Sequence, residues 1–593
     1  MSEIKEEYKL LKKILDAVFV ITGVTALALI IIIIGFYLGQ EQTTLLILAT
    51  RAIIITYVVQ EIIRWFIVKN KSGHLRSRLV ENILAAILVT QLLLHGITID
   101  YLQNISLELE LADLSFAYIA VLQLVIFTAF VVRILRHSNL LANLKMHPGM
   151  ITAISFAVVI IAGSLFLMLP KATVSSSPIK YVDALFTSTS AVCVTGLVSV
   201  NTATEFTTLG RIIIICLIQI GGIGVMTLSS FFASLLFGGL SFRMKIMVKD
   251  MLSEDNLSEV SDVLKKITLF TFSFELVGAL LLYLSLGGGA FSNFNFATVK
   301  NAAFHSVAAF CNAGFSIYST NLMAPEVQQN YFFLSVIMLL ILFGGIGFLA
   351  FSNMFTYIFF RKKIVTEGKY RLQLTTRIVF ITTFAIIIIG TLALFFTESY
   401  PSEKWMTTGD RLFHSLFMVI TARTAGFNTT NIAEVTNIGL IVIIFIMWIG
   451  ASPGSTGGGI KTTTFAILIL HFVNYMRGKD HLEIFHRRVY QQSINKAVMV
   501  QFAAGMVLIL LTSLLVAFEK QIPLMDLLFE AVSAISTTGL STGITGALKS
   551  SSKYTLIILM YLGRIGVLSF LVAFFPAQPE LKYNLPEEKI LVG

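Results

Sequence analysis

The sequence predicts an all-α membrane protein. Four tandem helix–pore-loop–helix units are expected around a pseudo-fourfold axis, preceded by a four-helix N-terminal bundle. Three observations lead there. Of 593 residues, 56% are hydrophobic and only 13% charged, with a mean hydropathy of +0.85. Soluble domains carry about twice that share of charge. Twelve apolar stretches reach the roughly 20 residues a span needs. Finally, four Gly-containing tetrapeptides recur at near-even spacing late in the chain, with glycines at Gly196, Gly314, Gly426 and Gly539. Abundant Phe (48) beside scarce Pro (10) favours helices over a β-barrel.

The twelve expected spans are 16–38, 43–68, 79–97, 113–136, 150–170, 209–237, 265–287, 331–360, 376–397, 437–475, 497–518 and 553–575. The segment MSEIKEEYKLLKKILD is too charged for a cleavable signal, so the first span is expected to stay as an anchor. Basic loops at 69–78, 133–145, 242–249, 361–371 and 477–488 alternate with base-poor or acidic ones such as 99–113 and 397–404. By the positive-inside rule both termini face the cytoplasm of a multi-pass plasma-membrane protein. The net charge of +10 therefore reflects orientation in lipid, and nucleic acid is not an expected partner. Cys193, Cys216 and Cys311 lie in apolar stretches without metal or disulfide spacing and read as small buried residues.

From the fifth span onward the order is span, short helix, Gly tetrapeptide, span, four times. The short helices, at about 182–193, 300–311, 410–422 and 525–536, are too short to cross, so they are re-entrant and must be enclosed by the four units. A large apolar residue precedes each glycine by ten positions: Phe186, Phe304, Leu416 and Phe529. Glycine takes positive φ without a Cβ penalty and lets successive carbonyls face one way. A ring of such carbonyls replaces the water shell of a cation. The expected ion-contacting segments are Val194, Thr195, Gly196 and Leu197; Asn312, Ala313, Gly314 and Phe315; Thr424, Ala425, Gly426 and Phe427; and Thr537, Thr538, Gly539 and Leu540. Each short helix would turn its negative dipole end toward the axis.

A second glycine cluster follows each tetrapeptide at a similar distance: GGIG at 221–224, GGIG at 344–347, GASPGSTGGGI at 450–460 and GRIG at 563–566. Two copies depart from the pattern. In the third, Gly450, Ser452, Pro453, Gly454, Ser455, Thr456, Gly457, Gly458 and Gly459, with Lys461 just beyond, cannot continue a regular helix. In the fourth, Arg564 stands where the two GGIG clusters have their second glycine (Gly222, Gly345), and a mid-membrane charge is expected to face the interior. A polar loop beneath a carbonyl ring can block an ion path, and an axial arginine repels cations.

FTSTSAVCVTGL, ARTAGFNT, GASPGSTGGGIKTTT and YLGRIG resemble the Trk/Ktr/HKT superfamily of potassium uptake proteins over residues 150–575. The resemblance implies a K⁺-selective filter, with K⁺ as transported ion and no tightly bound organic cofactor. It also implies a gate made by the 450–461 loop and Arg564, a homodimer in a bacterial inner membrane, and separate cytosolic nucleotide-binding regulatory subunits. In that superfamily a serine at the first filter glycine goes with Na⁺ permeation, and Gly196 argues for K⁺. The units divide as 146–250, 251–366, 367–490 and 491–580, after the bundle 1–145 and before a cytosolic tail 581–593.

The bundle is a departure from bacterial relatives. Its segments QEIIRWFIVKN and RSRLVENILAAILV are similar to voltage-sensor helices, but only Arg133 and Arg136 are available as gating charges. A scaffold is the expected role. Asp183, Asp410 and Asp526 complement short-helix N-termini, His305 and His414 are expected in buried hydrogen bonds, and Arg423 is a candidate partner for Glu530. Glu275, within a span, is the acid to test for proton coupling. No nucleophile–base constellation points to an enzyme. The two open functions are a channel-like K⁺ path and a K⁺ symporter coupled to Na⁺ or H⁺. Repeats in one direction favour the first, because transporters usually carry inverted repeats.

Overall fold

The computed structural model describes residues 9–67, 148–175, 179–224, 260–287, 295–359, 372–398, 405–479 and 481–574, with isolated positions 86, 89, 90 and 227. The fourth expected span, with Arg133 and Arg136, lies outside them, as does the third apart from positions 86, 89 and 90, and so do four of the five basic loops. Six described helices are long and apolar enough to cross a membrane, or seven if one bent pair counts as a span.

Two helices, α1 (Lys9–Gly35) and α2 (Gln40–Ile67), precede the repeats and pack on each other. The Arg64 guanidinium donates to Asp16 Oδ1 at 2.9 Å, and the Phe19 and Tyr57 rings lie 6.1 Å apart. The end of α1 reaches the repeats directly. Lys171 donates its backbone N–H to Gly35 O at 2.9 Å and its ammonium to Ile33 O at 3.2 Å.

Four copies of one three-helix arrangement follow. The first has an outer helix α3 (Pro148–Leu167), a short helix α4 (Tyr181–Val192) and an inner helix α5 (Thr208–Ile223). The second has α6 (Val260–Ser285), α7 (Phe296–Phe310) and α8 (Tyr331–Ile346), with α9 (Phe348–Phe359) continuing from α8. The third has α10 (Leu374–Thr397), α11 (Thr408–Ala422), α12 (Asn437–Trp448) and, past a loop, α13 (Thr462–Met476). A small hairpin, β1 (Glu483–Ile484) with β2 (Arg487–Arg488), leads into the fourth: α14 (Gln491–Phe518), α15 (Leu524–Ile535), α16 (Ser550–Ile565) and α17 (Val567–Phe574).

Within each copy the three helices pack mutually. Between copies the packing is cyclic: α5 rests on α7, α8 on α11, α12 on α15, and α16 returns to α4. Small residues permit the close approach. Ser188 and Ser306 turn their hydroxyls onto the outer-helix carbonyls of Ile160 and Glu275, at 2.7 and 2.6 Å. Cβ atoms at Gly163 and Gly278 would stand 2.5 Å from those same hydroxyls. The core is large and aromatic, with Phe186, Phe310, Phe333, Phe417 and Phe529 fully buried. Of the apolar anchors ten residues before each glycine, Phe186, Phe304 and Phe529 are buried and Leu416 is half-buried.

The inner helices depart from the sequence expectation of one broken copy. All four stop short. α5, α8 and α16 end at Gly224, Gly347 and Gly566, with φ of 90°, 88° and 91°. The bend between α8 and α9 is 99°. At such positive φ a Cβ is disfavoured, so a single glycine can end a helix within a largely apolar run. The third copy differs in degree: its break, from Ile449 to Lys461, is a loop rather than one residue.

Candidate functional site

Each short helix ends four positions before its glycine and hands the chain to the tetrapeptide. In these segments the first residue and the glycine are both left-handed. The φ values are 55° and 93° for Val194 and Gly196, 59° and 67° for Asn312 and Gly314, 70° and 82° for Thr424 and Gly426, and 51° and 90° for Thr537 and Gly539. Alternating handedness turns successive carbonyls to the same side of the strand. Positive φ at Val194 and Thr537 is costly for β-branched residues, on the order of 1–3 kcal/mol each, and persists only where surroundings dictate it.

Those surroundings are hydrogen bonds back to the short helix. Thr195, Ala313 and Thr538 donate their N–H groups to Ser190, Ala308 and Ser533 carbonyls at 2.8, 2.7 and 2.8 Å. The glycine N–H groups of Gly196 and Gly539 are held by the hydroxyls of Ser190 and Ser533, both at 3.0 Å. In the third copy, Ala425 and Gly426 both donate to Thr421 O. The sequence reading places its expected ion-contacting residues in these segments but misses the left-handed first position and these serine braces. The serines had a signal, since each precedes its glycine by six positions.

The four glycines close into a ring in chain order. A Cβ on Gly196 would lie 3.0 Å from the Gly314 Cα, one on Gly314 2.9 Å from Gly426, one on Gly426 3.1 Å from Gly539, and one on Gly539 2.9 Å from Gly196. Each would also run into the carbonyl preceding the next glycine, those of Ala313, Ala425, Thr538 and Thr195. All four glycines line one cavity of about 360 Å³, walled by residues that follow the tetrapeptides, including Ser199, Asn201, Tyr318, Asn428, Ser541 and Thr545. Among the described residues, no carboxylate or basic side chain lines it.

On the opposite side of the ring lies the Ile449–Lys461 loop. Its Ser452 and Thr456 N–H groups donate to Gly345 O and Gly344 O at 3.0 and 3.2 Å, in the second copy. Thr456 Oγ1 donates to Phe310 O at 3.1 Å, the last carbonyl of α7. Its Gly458 N–H donates to Thr537 Oγ1 at 3.1 Å, in the fourth copy's ring segment. Lys461 Nζ folds back onto Gly457 O at 2.8 Å. A side chain at Gly457 or Gly458 would collide with the hydroxyls of Thr424 and Thr537, so the glycine run is what lets the loop press against the ring. Arg564 donates to Thr456 O in the loop and to Gly221 O in the first copy. Loop and arginine together therefore touch all four copies. The leading glycines of the other clusters have a separate purpose. A Cβ at Gly221, Gly344 or Gly563 would strike the carbonyl of Val192, Phe310 or Ile535, at the end of that copy's own short helix.

The remaining polar residues divide. Asp183 accepts from Lys553 Nζ at 2.8 Å, an ion pair that joins the fourth copy to the first. Asp410 completes a capping box with Thr407 and also accepts from the Tyr331 hydroxyl at 2.5 Å. His305 bonds Asn301 O and Ser316 Oγ at 2.8 and 2.9 Å, and His414 bonds Thr429 Oγ1 at 2.9 Å, in line with buried hydrogen bonding. Arg423 does not pair with Glu530. It points to Thr383 Oγ1 on the outer helix at 3.3 Å, while Glu530 is satisfied by Ser541 and Thr545 hydroxyls. Its position at the C-cap of α11 aims it outward, away from the fourth copy. Glu275 is buried in α6 and accepts from Gln219 Nε2 at 3.0 Å. Among the described residues no three His, Cys, Asp or Glu side chains cluster as metal ligands.

The sequence pattern of the TrkH family, described as a cation transport protein, matches residues 119–584. The chain is 32% identical to the potassium/sodium uptake protein NtpJ of Enterococcus hirae, over 76% of this chain and 98% of that protein. It is 34% identical to the Ktr system potassium uptake protein D of Bacillus subtilis, over 75% and 97%. The crystal structure of the potassium transporter TrkH from Vibrio parahaemolyticus has a similar fold, with a TM-score of 0.60 at 19% identity, covering 84% of this chain and 98% of that one. The family match begins at residue 119, so most of the segment 1–145 lies outside it. A matched pattern over most of the chain, and two such relatives aligned across nearly their whole length, make it a transport protein rather than an enzyme: the chain belongs to the TrkH family of cation transport proteins.

Proposed function

We propose that this protein takes up K⁺ across a plasma membrane through a channel-like axial path, lined by main-chain oxygens of the four tetrapeptides. The observation that carries this reading is the closed glycine ring, in which alternating left-handed residues aim carbonyls to one side in every copy. Neutral oxygens at a fixed radius suit a cation stripped of water. The C-terminal ends of α4, α7, α11 and α15 add four negative dipole ends at the same level. An uncharged cavity above the ring supports selection by backbone geometry rather than by a ring of carboxylates. Relatives named as potassium uptake proteins support the choice of ion.

In this reading the four copies are pore units 146–250, 251–366, 367–490 and 491–580, behind the bundle 1–145. The Ile449–Lys461 loop and Arg564 form the gate, because they close the far side of the ring and are held there by a few hydrogen bonds to carbonyls and to the Thr537 hydroxyl. Both termini face the cytoplasm of a bacterial inner membrane. The pore works as a homodimer, with cytosolic regulatory subunits on the gate side. A coupled symporter is the second reading, favoured by Glu275, a carboxylate held inside the membrane by Gln219. Rubidium uptake into proteoliposomes separates the two. Uptake driven by a K⁺ or Rb⁺ gradient alone supports the channel-like path, and strict dependence on an imposed Na⁺ or H⁺ gradient overturns it.

A further inference from the structure

A second cavity of about 360 Å³ lies on the far side of the loop from the ring, between the third and fourth copies. Helix α16 runs from the vestibule side at Ser550 to this cavity at Arg564, about 22 Å along its axis. Three cations line it, Lys461, Lys496 and Arg564, and among the described residues no carboxylate does. Among the described residues, none of the three has a carboxylate within ion-pair distance. Lys461 and Arg564 donate to main-chain carbonyls, of the loop and, for Arg564, also of Gly221 in the first copy, and these carbonyls are neutral. Lys496 is exposed at the rim on α14. The hydroxyls of Thr464, Ser493 and Ser569 add donors. Two helices also begin here. The first turn of α13, next to Lys461, has no side-chain cap, and α17 starts just past Gly566, so both bring positive dipole ends to the cavity.

Three uncompensated charges, three hydroxyls and two helix N-termini around one partly enclosed space make an anion site. We propose that this cavity binds one phosphate-class anion, a phosphate monoester or diester group, between Lys461, Lys496 and Arg564. Two sources share that chemistry: free phosphate in solution, and the headgroup of an anionic lipid, as basic clefts between membrane helices commonly hold. The binding claim stands without the permeation reading, since it concerns charge left unpaired in a cavity outside the ring.

The test uses the purified full chain and Lys496→Gln, an exposed change outside the loop and ring, with Lys496→Arg as the charge-preserving control and thermal unfolding as a check of fold. One arm measures binding of radiolabelled inorganic phosphate in detergent. The other measures retention of phosphatidylglycerol against phosphatidylcholine from mixed nanodiscs by native mass spectrometry. Saturable phosphate binding weakened about fivefold by Lys496→Gln and restored by Lys496→Arg supports the site with a soluble ligand. Preferential phosphatidylglycerol retention with the same dependence supports it with a lipid headgroup. Absence of both, or binding that Lys496→Gln leaves unchanged, overturns the proposal.

Discussion

Replacing Arg564 tests the gate most directly. Its guanidinium donates to Thr456 O in the loop and Gly221 O in the first copy. Hydrogen bonds from a charged donor are worth about 1.5–3 kcal/mol each. The bond to Gly221 O anchors the arginine to the first copy, so only the bond to Thr456 O holds the loop; its freed carbonyl can recover water on the cavity side, and the low end, about 1.5 kcal/mol, applies. If the loop has two positions, Arg564→Gln then shifts their ratio toward the open one by about tenfold. Basal rubidium flux in proteoliposomes should rise by up to that factor, limited by complete opening. Arg564→Lys keeps the charge but loses the fork that reaches two carbonyls at once, and should fall between wild type and Arg564→Gln. Equal or lower flux in Arg564→Gln, with wild-type yield and unfolding temperature, would refute the idea that this arginine holds the path shut. Equal flux in Arg564→Lys and wild type would assign the effect to charge alone.

Gly196→Ser places a Cβ 2.5 Å from Ala313 O at a φ of 93°, so the neighbouring carbonyl must move; the K⁺/Na⁺ permeability ratio should fall about tenfold, the worth of roughly 1.4 kcal/mol. An unchanged ratio removes Gly196 from the filter. Lys553→Met strands the Asp183 carboxylate, only 12% exposed, and should cost about 3 kcal/mol of stability. Adding Asp183→Asn should recover most of it in detergent unfolding, and a double variant no better than the single would show that the ion pair is not the cause. Deleting residues 1–145 should impair assembly or regulation, because α1 anchors on Lys171, while sparing the ion preference. A correctly assembled truncation that has lost K⁺ preference would contradict that division.

Much of this architecture is legible in the sequence. Periodic glycines locate all four ring segments, because a backbone that must take positive φ leaves few residue types available. The same rule has a blind spot. Val194, Thr424 and Thr537 are left-handed without being glycine, held there by hydrogen bonds to the preceding short helix, and no residue type announces such a constraint. The single-glycine breaks at Gly224, Gly347 and Gly566 are likewise hidden inside runs apolar enough to read as continuous spans. The Lys553–Asp183 pair joins residues 370 positions apart, a distance that only cyclic closure brings to 2.8 Å. Arg423 shows the converse error: the sequence offers Glu530 as a candidate partner, but the side chain reaches Thr383 on the outer helix instead.

Fusing the four copies in one chain has a consequence of its own. Four identical subunits around an axis would place four guanidinium groups where Arg564 stands, and their mutual repulsion in a narrow lumen would far outweigh the few carbonyl bonds on offer. Four copies of the Ile449–Lys461 loop would compete for a space that one already fills, touching every neighbour. Covalent linkage frees each quarter to mutate separately, so an assembly can keep equal backbone geometry at the ring and carry one plug and one clasp below it. The lone connection not made by the chain, α16 against α4, then becomes the seam of the assembly, and it is there that Lys553 and Asp183 meet.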